Sequence, residues 1–480
     1  MSDFTGSVQE MGVITMKNFE LQATFENVLD TFEKDMWGRN ADVKAFVELI
    51  DAIDENCSVA VDARWGSGKT FFVKQAKMVI DAYNTYASKM DEEAKARVLA
   101  AYERLGIPDG YELQPQVAVY YDAWANDNDE DPILSLVYAI MQSVNTDFEF
   151  DSGVDCLKVI ASIAEVLSGR SVTVIRDALK KEDPMAHIRS QKDLQTQISE
   201  FLDSLLPERG NRLVVFVDEL DRCKPTFAVR LLERIKHYFN NDRITFVFSV
   251  NITELQHTIR KHYGNGFDAC RYLDRFFDMP INLPPVDLRQ FYYQIGLDHG
   301  SWVYERVCKT VIDIHHFTPR EIMKFYRMAR IAAYKPNHDN NREFEFIFGE
   351  EKAVKFCLMF IVPIMIGLKV SNYERYNAFI DGKDSSPMHE VLKDHDIGAK
   401  LCEDLLSRNE SFFENSSKAG VVTVKFYDKI EAVYNALFVH QYEGKVREVQ
   451  IGELEFSGET KATLMRAVST LSRYADHEAQ

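Results

Sequence analysis

From Cys57 to Ile80 an apolar run passes through a glycine-bearing loop into a helical pattern, an order that few folds accept. Cys57-Ser-Val-Ala-Val61 reads as a short strand buried on both faces, and Phe71 to Ile80 carries helical spacing. Between them lies Asp62-Ala-Arg-Trp-Gly-Ser-Gly-Lys-Thr70. A glycine loop between a strand and a helix gathers backbone N–H groups and a helix N-terminus around one point, which is an anion site.

Gly68-Lys69-Thr70 is a weak signal alone, and its context strengthens it. In such a loop Lys69 reaches the β- and γ-phosphates of a nucleoside triphosphate and the Thr70 hydroxyl binds Mg²⁺, while Gly66 and Gly68 let the backbone approach. Arg64, Trp65, Ser67 and Phe71 complete the expected lining. One departure stands out: Ala63 occupies a position where the full pattern has glycine, and Ala adopts the left-handed region only at a cost. An altered loop entry is therefore expected.

A second motif supplies the other half of the chemistry. The apolar run Leu213 to Val217 ends in Asp218-Glu219, two carboxylates at the carboxyl end of a strand, where open α/β sheets bind ligands. Asp218 is expected in the Mg²⁺ shell, and Glu219 to orient or deprotonate the attacking water. About 150 residues separate Thr70 from Asp218. ATPases with a catalytic glutamate carry an additional strand between the two motif strands, so Leu213 to Val217 is expected two positions from Cys57 to Val61.

Further strands are read at Val117 to Asp122, Ile244 to Val250 and Pro280 to Leu283. Helical faces recur between them, as at Leu194 to Leu205 and at Leu231, Ile235 and Tyr238. The alternation predicts an α/β fold with a mainly parallel sheet flanked by helices. Its core is expected over 1–285 with a helical insertion at about 150–210. A helical lid over 286–340 and a mainly helical C-terminal domain over 341–480 follow, including helices at Phe291 to Gly296 and Val303 to Ile314; the β-branched stretch Val421 to Tyr427 is the exception.

Composition narrows the function. With 56 basic against 75 acidic residues the net charge is −19, which disfavours broad nucleic-acid binding. Seven dispersed cysteines without a C-x-x-C pair indicate neither a zinc site nor a disulfide framework, and read as the reduced thiols of a cytoplasmic protein. No signal peptide is visible at the N-terminus. The most apolar run, Phe356 to Leu368, contains Pro363 and is shorter than the roughly 20 residues of a membrane span, so it is read as a buried helix or a packed turn. His315 and His316 are adjacent, which makes them packing or surface residues rather than metal ligands.

Together these residues resemble the KAP family of P-loop NTPases over roughly Asn27 to Tyr334. The carriers are Trp65-Gly-Ser-Gly-Lys-Thr70, Asp122-Ala-Trp-Ala-Asn-Asp127, Asp218-Glu-Leu-Asp-Arg-Cys-Lys-Pro225 and Tyr272-Leu-Asp-Arg-Phe-Phe277. The resemblance implies that Trp37-Gly-Arg39 lies near the adenine, that Asn251 helps place water near the γ-phosphate, and that Arg275 enters a neighbouring subunit's nucleotide site. It implies further that Arg320 is a sensor arginine on the lid, although Thr318-Pro319 also reads as a helix cap. Glu219 stands where many members have a second Asp, and the membrane-spanning insertions of some members are missing from this sequence.

What the resemblance implies is a Mg²⁺-dependent ATP hydrolase, a homo-oligomeric motor or switch in bacterial anti-phage defence beside a protein effector. The alternative is a nucleotide-gated scaffold with negligible turnover. A nucleic-acid-dependent ATPase is a third reading, against which the net charge argues.

Overall fold

The computed structural model describes residues 21–86, 89–106, 113–144, 209–295, 302–333, 351–393, 405–407, 409–412, 422–442 and 447–469, with isolated positions between them. The chain divides into two compact units, one spanning Gln22–Phe291 and the other taking in Tyr292–Gln480.

The first unit is built on a five-stranded sheet: β1 Cys57–Asp62, β2 Gln116–Asp122, β3 Arg212–Asp218, β4 Ile244–Val250 and β5 Met279–Asn282. Every pairing is parallel and the order is β2-β3-β4-β1-β5. β3 and β4 are buried along their whole length, as their unbroken apolar sequences require. β3 does stand two positions from β1, and the intervening strand is β4.

Helices α1 Phe25–Glu33, α2 Asn40–Asp51, α3 Lys69–Tyr83, α4 Glu92–Glu103, α5 Pro132–Val144, α6 Pro225–Tyr238 and α7 Ile252–Tyr263 flank the sheet, and the short α8 Ala269–Leu273 precedes β5. One apolar core runs from Ala60 and Val119 through Val215 and Leu232 to Phe248 and Phe277, so sheet and helices share it. The expected insertion at 150–210 lies almost wholly outside the described residues; Ile198 within it is buried.

After α9 Leu288–Ile295, the second unit contains α10 Trp302–His315, α11 Pro319–Ala333, α12 Lys352–Ser371, α13 Tyr373–Ile380, α14 Ser386–Leu392, α15 Phe426–Tyr434 and α16 Gly458–Val468. Two small pairings accompany them, β6 Glu410–Ser411 with β7 Val422–Thr423, and the hairpin β8 Glu448–Ile451 with β9 Leu454–Ser457. The Val421 to Tyr427 stretch thus splits into a two-residue strand and the start of α15.

The apolar run at Phe356 to Leu368 extends further than its sequence indicates. α12 is continuous over 20 residues, with a π-turn at Cys357–Ile361 ahead of Pro363. It is long and apolar enough to cross a membrane, and 78% of its apolar stretch is buried inside this structure.

Candidate nucleotide-binding site

The loop after β1 owes its shape to its glycines. Gly66 and Gly68 hold φ of 79° and 92°, in the left-handed region that costs a side chain about 1–2 kcal/mol. Ala63 lies outside that region, so the expected penalty for replacing glycine does not arise. Its N–H donates to the Val250 carbonyl at 3.2 Å, continuing the β1–β4 ladder into the loop.

Lys69 opens α3 and is buried. Its Nζ donates to the carbonyls of Ala63 at 2.6 Å and Arg64 at 3.4 Å. Burial lowers its pKa, while Asp221, Asp218, Glu219 and Asp62 act in the opposite sense, so four carboxylates gather around one ammonium. Thr70 and Phe71 follow in the first turn, Thr70 half-buried and Phe71 buried against Trp37, with ring centroids 5.6 Å apart.

Trp37-Gly-Arg39 forms the floor of the loop. The Arg39 Nη1 donates to the Ser67 carbonyl at 2.8 Å, and burial brings the guanidinium down to about 10. Trp37 also stacks on Phe291 at 5.2 Å. The expectation for Arg39 concerned adenine; the contact observed is with the loop backbone.

The carboxylates come together through strand register. Asp122 on β2, Asp218 on β3 and Ser249 on β4 are neighbours across the sheet, and Asp62 pairs with Val250. Asp218 is 1% exposed; it accepts from the Tyr120 hydroxyl at 2.9 Å and from the Glu219 N–H at 3.0 Å, which fixes both oxygens. Glu219 has φ 61°, a conformation rare for a residue with a side chain and typical of functional sites. Burial and then Asp218 push its carboxyl up to about 7, against the Arg222 guanidinium 2.6 Å away.

The remaining expected residues sit on other elements. Asn251 sits at the end of β4, on the same edge as Asp218, and its side chain accepts from Glu254 N–H at 3.3 Å as the cap of α7. Arg275 follows α8 on an exposed stretch of the first unit. Arg320 is exposed in the first turn of α11 in the second unit, where Glu321 accepts from both the N–H and the hydroxyl of Thr318 at 2.8 Å.

Tyr120 and Ser249 lie outside every motif read from the sequence, and Trp124, Asp221 and Arg222 lie inside motifs that carry the resemblance but receive no role there. Strand register brings Tyr120 and Ser249 to Asp218, and the local signals for Arg222 are its place in the Asp218 to Pro225 motif and its spacing three residues after Glu219.

The fit to a nucleotide rests on buried polar atoms. Trp37 Nε1, Arg39 Nε, Asp221 Oδ1 and Ser249 Oγ are buried without a hydrogen-bond partner, and all four border the loop or Asp218. Buried polar groups ordinarily find partners, so this grouping marks a place shaped for a polar ligand. Among the described residues no three His, Cys, Asp or Glu side chains form a metal cage. A hydroxyl at Thr70 and a carboxylate at Asp218 suit Mg²⁺, which takes few protein oxygens and completes its shell with phosphate and water.

A family model described as the KAP family P-loop domain matches residues 39–298. That span holds the whole loop, both motif strands and the edge that joins them. No curated protein matches the sequence.

Proposed function

The chain belongs to the KAP family of P-loop NTPases, and from that premise we propose that it hydrolyses ATP with Mg²⁺ at the β–γ phosphoanhydride. The observation that carries the reading is the convergence of Lys69, Asp218 and Glu219 on one sheet edge. Lys69 supplies a cation for the phosphates, Thr70 and Asp218 would hold the metal, and Glu219 orients the attacking water or takes its proton. Bound Mg²⁺ would neutralise charge developing on the phosphates. Tyr120 holds the Asp218 carboxylate in one orientation, and Arg39 braces the loop backbone from below.

The exposed position of Arg275 supports an oligomer in which it reaches a neighbouring subunit. Service in anti-phage defence beside an effector protein rests on the family resemblance alone.

Turnover of ATP and of GTP, with and without Mg²⁺, tests the reading. Lys69→Ala is expected to lose nucleotide binding and turnover. Glu219→Gln is expected to keep binding and to lose about 10²-fold or more in kcat. Equal rates in the wild type and both variants would sink the hydrolase assignment, and ATP-dependent assembly without turnover would favour the scaffold.

A further inference from the structure

Glu219 and Arg222 stand at i and i+3, a pair that at an exposed surface contributes little. Three observations set this pair apart. The Arg222 guanidinium lies over two indoles carried by different elements, 5.8 Å from the Trp65 ring of the phosphate loop and 5.5 Å from the Trp124 ring after β2. Trp65 is itself tied down, its Nε1 donating to Asp221 Oδ2 at 2.5 Å. And Trp65 and Trp124 are 44% and 52% exposed, so core packing does not account for either ring.

A guanidinium is planar and weakly hydrated, which is why it stacks on aromatic faces while its edge still bonds a carboxylate. Here one edge nitrogen, Nε, meets Glu219 Oε2 at 2.6 Å. A left-handed backbone at Glu219 starts that side chain, and Arg222 fixes where it ends.

We propose that Arg222 is the positioning residue for Glu219, and that Trp65 and Trp124 hold it so that the aim of the carboxylate follows the position of the phosphate loop. The inference deepens the hydrolase reading and rests on it. Arg222 acts through Glu219.

The decisive comparison is steady-state ATP turnover together with the affinity of a non-hydrolysable ATP analogue. Arg222→Ala is expected to lower kcat about tenfold or more, as misplacement of a catalytic group does, with analogue affinity within about twofold of wild type. Arg222→Lys should recover little, because an ammonium does not lie flat between two rings. Trp124→Ala should lower kcat and Trp124→Phe should restore it; since Trp124 is half exposed, this pair decides the matter even where Arg222→Ala fails to fold. An Arg222→Ala chain as active as wild type, or more active, overturns the proposal.

Acrylamide quenching of tryptophan fluorescence supplies a readout independent of turnover. Quenching should rise in Arg222→Ala, and the rise should vanish once Trp65 and Trp124 are both phenylalanine; unchanged quenching also overturns the clamp. A wild type without turnover would sink the hydrolase reading while leaving the quenching result to judge the clamp by itself.

Discussion

Gly38 illustrates how much of the site depends on single residues. Its φ is 60°, and a Cβ placed there would come within 2.5 Å of the Asp287 Cβ. The backbone passes so close because Asp287 N–H donates to the Trp37 carbonyl at 3.1 Å, joining the segment under the loop to the start of α9. Gly38→Ala is therefore expected to cost about 2–4 kcal/mol, combining a left-handed side chain with overpacking. Chemical denaturation of wild type and variant checks this, and a loss under about 0.5 kcal/mol, the scale of an ordinary surface change, would contradict it. Ala63 teaches the converse. The sequence shows a missing glycine, but only backbone angles reveal that the position needs none.

At the scale of elements, α7 shows how a helix start is fastened to the site. Asp62 at the end of β1 accepts from Ile252 N–H at 2.8 Å, and Asn251 accepts from Glu254 N–H at 3.3 Å. Two of the orphan donors of the first turn are thereby satisfied by residues on the ligand edge. Asn251→Ala is expected to lower stability by about 1 kcal/mol, and Asn251→Asp to retain it, since both Asn and Asp cap well. Thermal unfolding separates these outcomes; if in addition Asn251→Asp slows turnover with its stability intact, the water-placing expectation gains support.

Elements also differ in how openly the sequence declares them. β1 to β4 fall within one residue of their apolar runs, because strands buried on both faces need largely hydrophobic sequence, whereas the edge strand β5 is partly exposed. The β8–β9 hairpin goes unread. Its signal is a two-residue Gly452-Glu453 turn between Ile451 and Leu454, in a stretch that contributes few apolar residues. α12 is underestimated because Pro363 reads as an interruption. In the structure Pro363 follows a π-turn and falls in the first turn of the helical stretch Val362–Ser371, where proline fits.

For the whole molecule, the first unit carries its own core and every residue of the loop and acidic edge. A fragment of residues 22–295, which keeps α9 whole, is expected to unfold cooperatively and to bind an ATP analogue within about tenfold of the full chain, as autonomous domains do. Circular dichroism melting and calorimetry of the fragment provide the check; failure to fold would show that the second unit is required for the stability of the first. The net charge of −19 belongs to this scale too, since it sets long-range attraction and not the fold.

Residue order by itself determined the strand, glycine loop and helix, the acidic end of β3 and the parallel α/β class. Each of these is encoded by near neighbours, through alternation, turn chemistry and buried runs. Only tertiary structure decided that β4 lies between the two motif strands, that Arg39 braces a loop 28 residues away, and that Tyr120 orients an aspartate 98 residues away. Such contacts arise when strands align in register and bring distant side chains to one edge, and no local pattern records which residues will meet there.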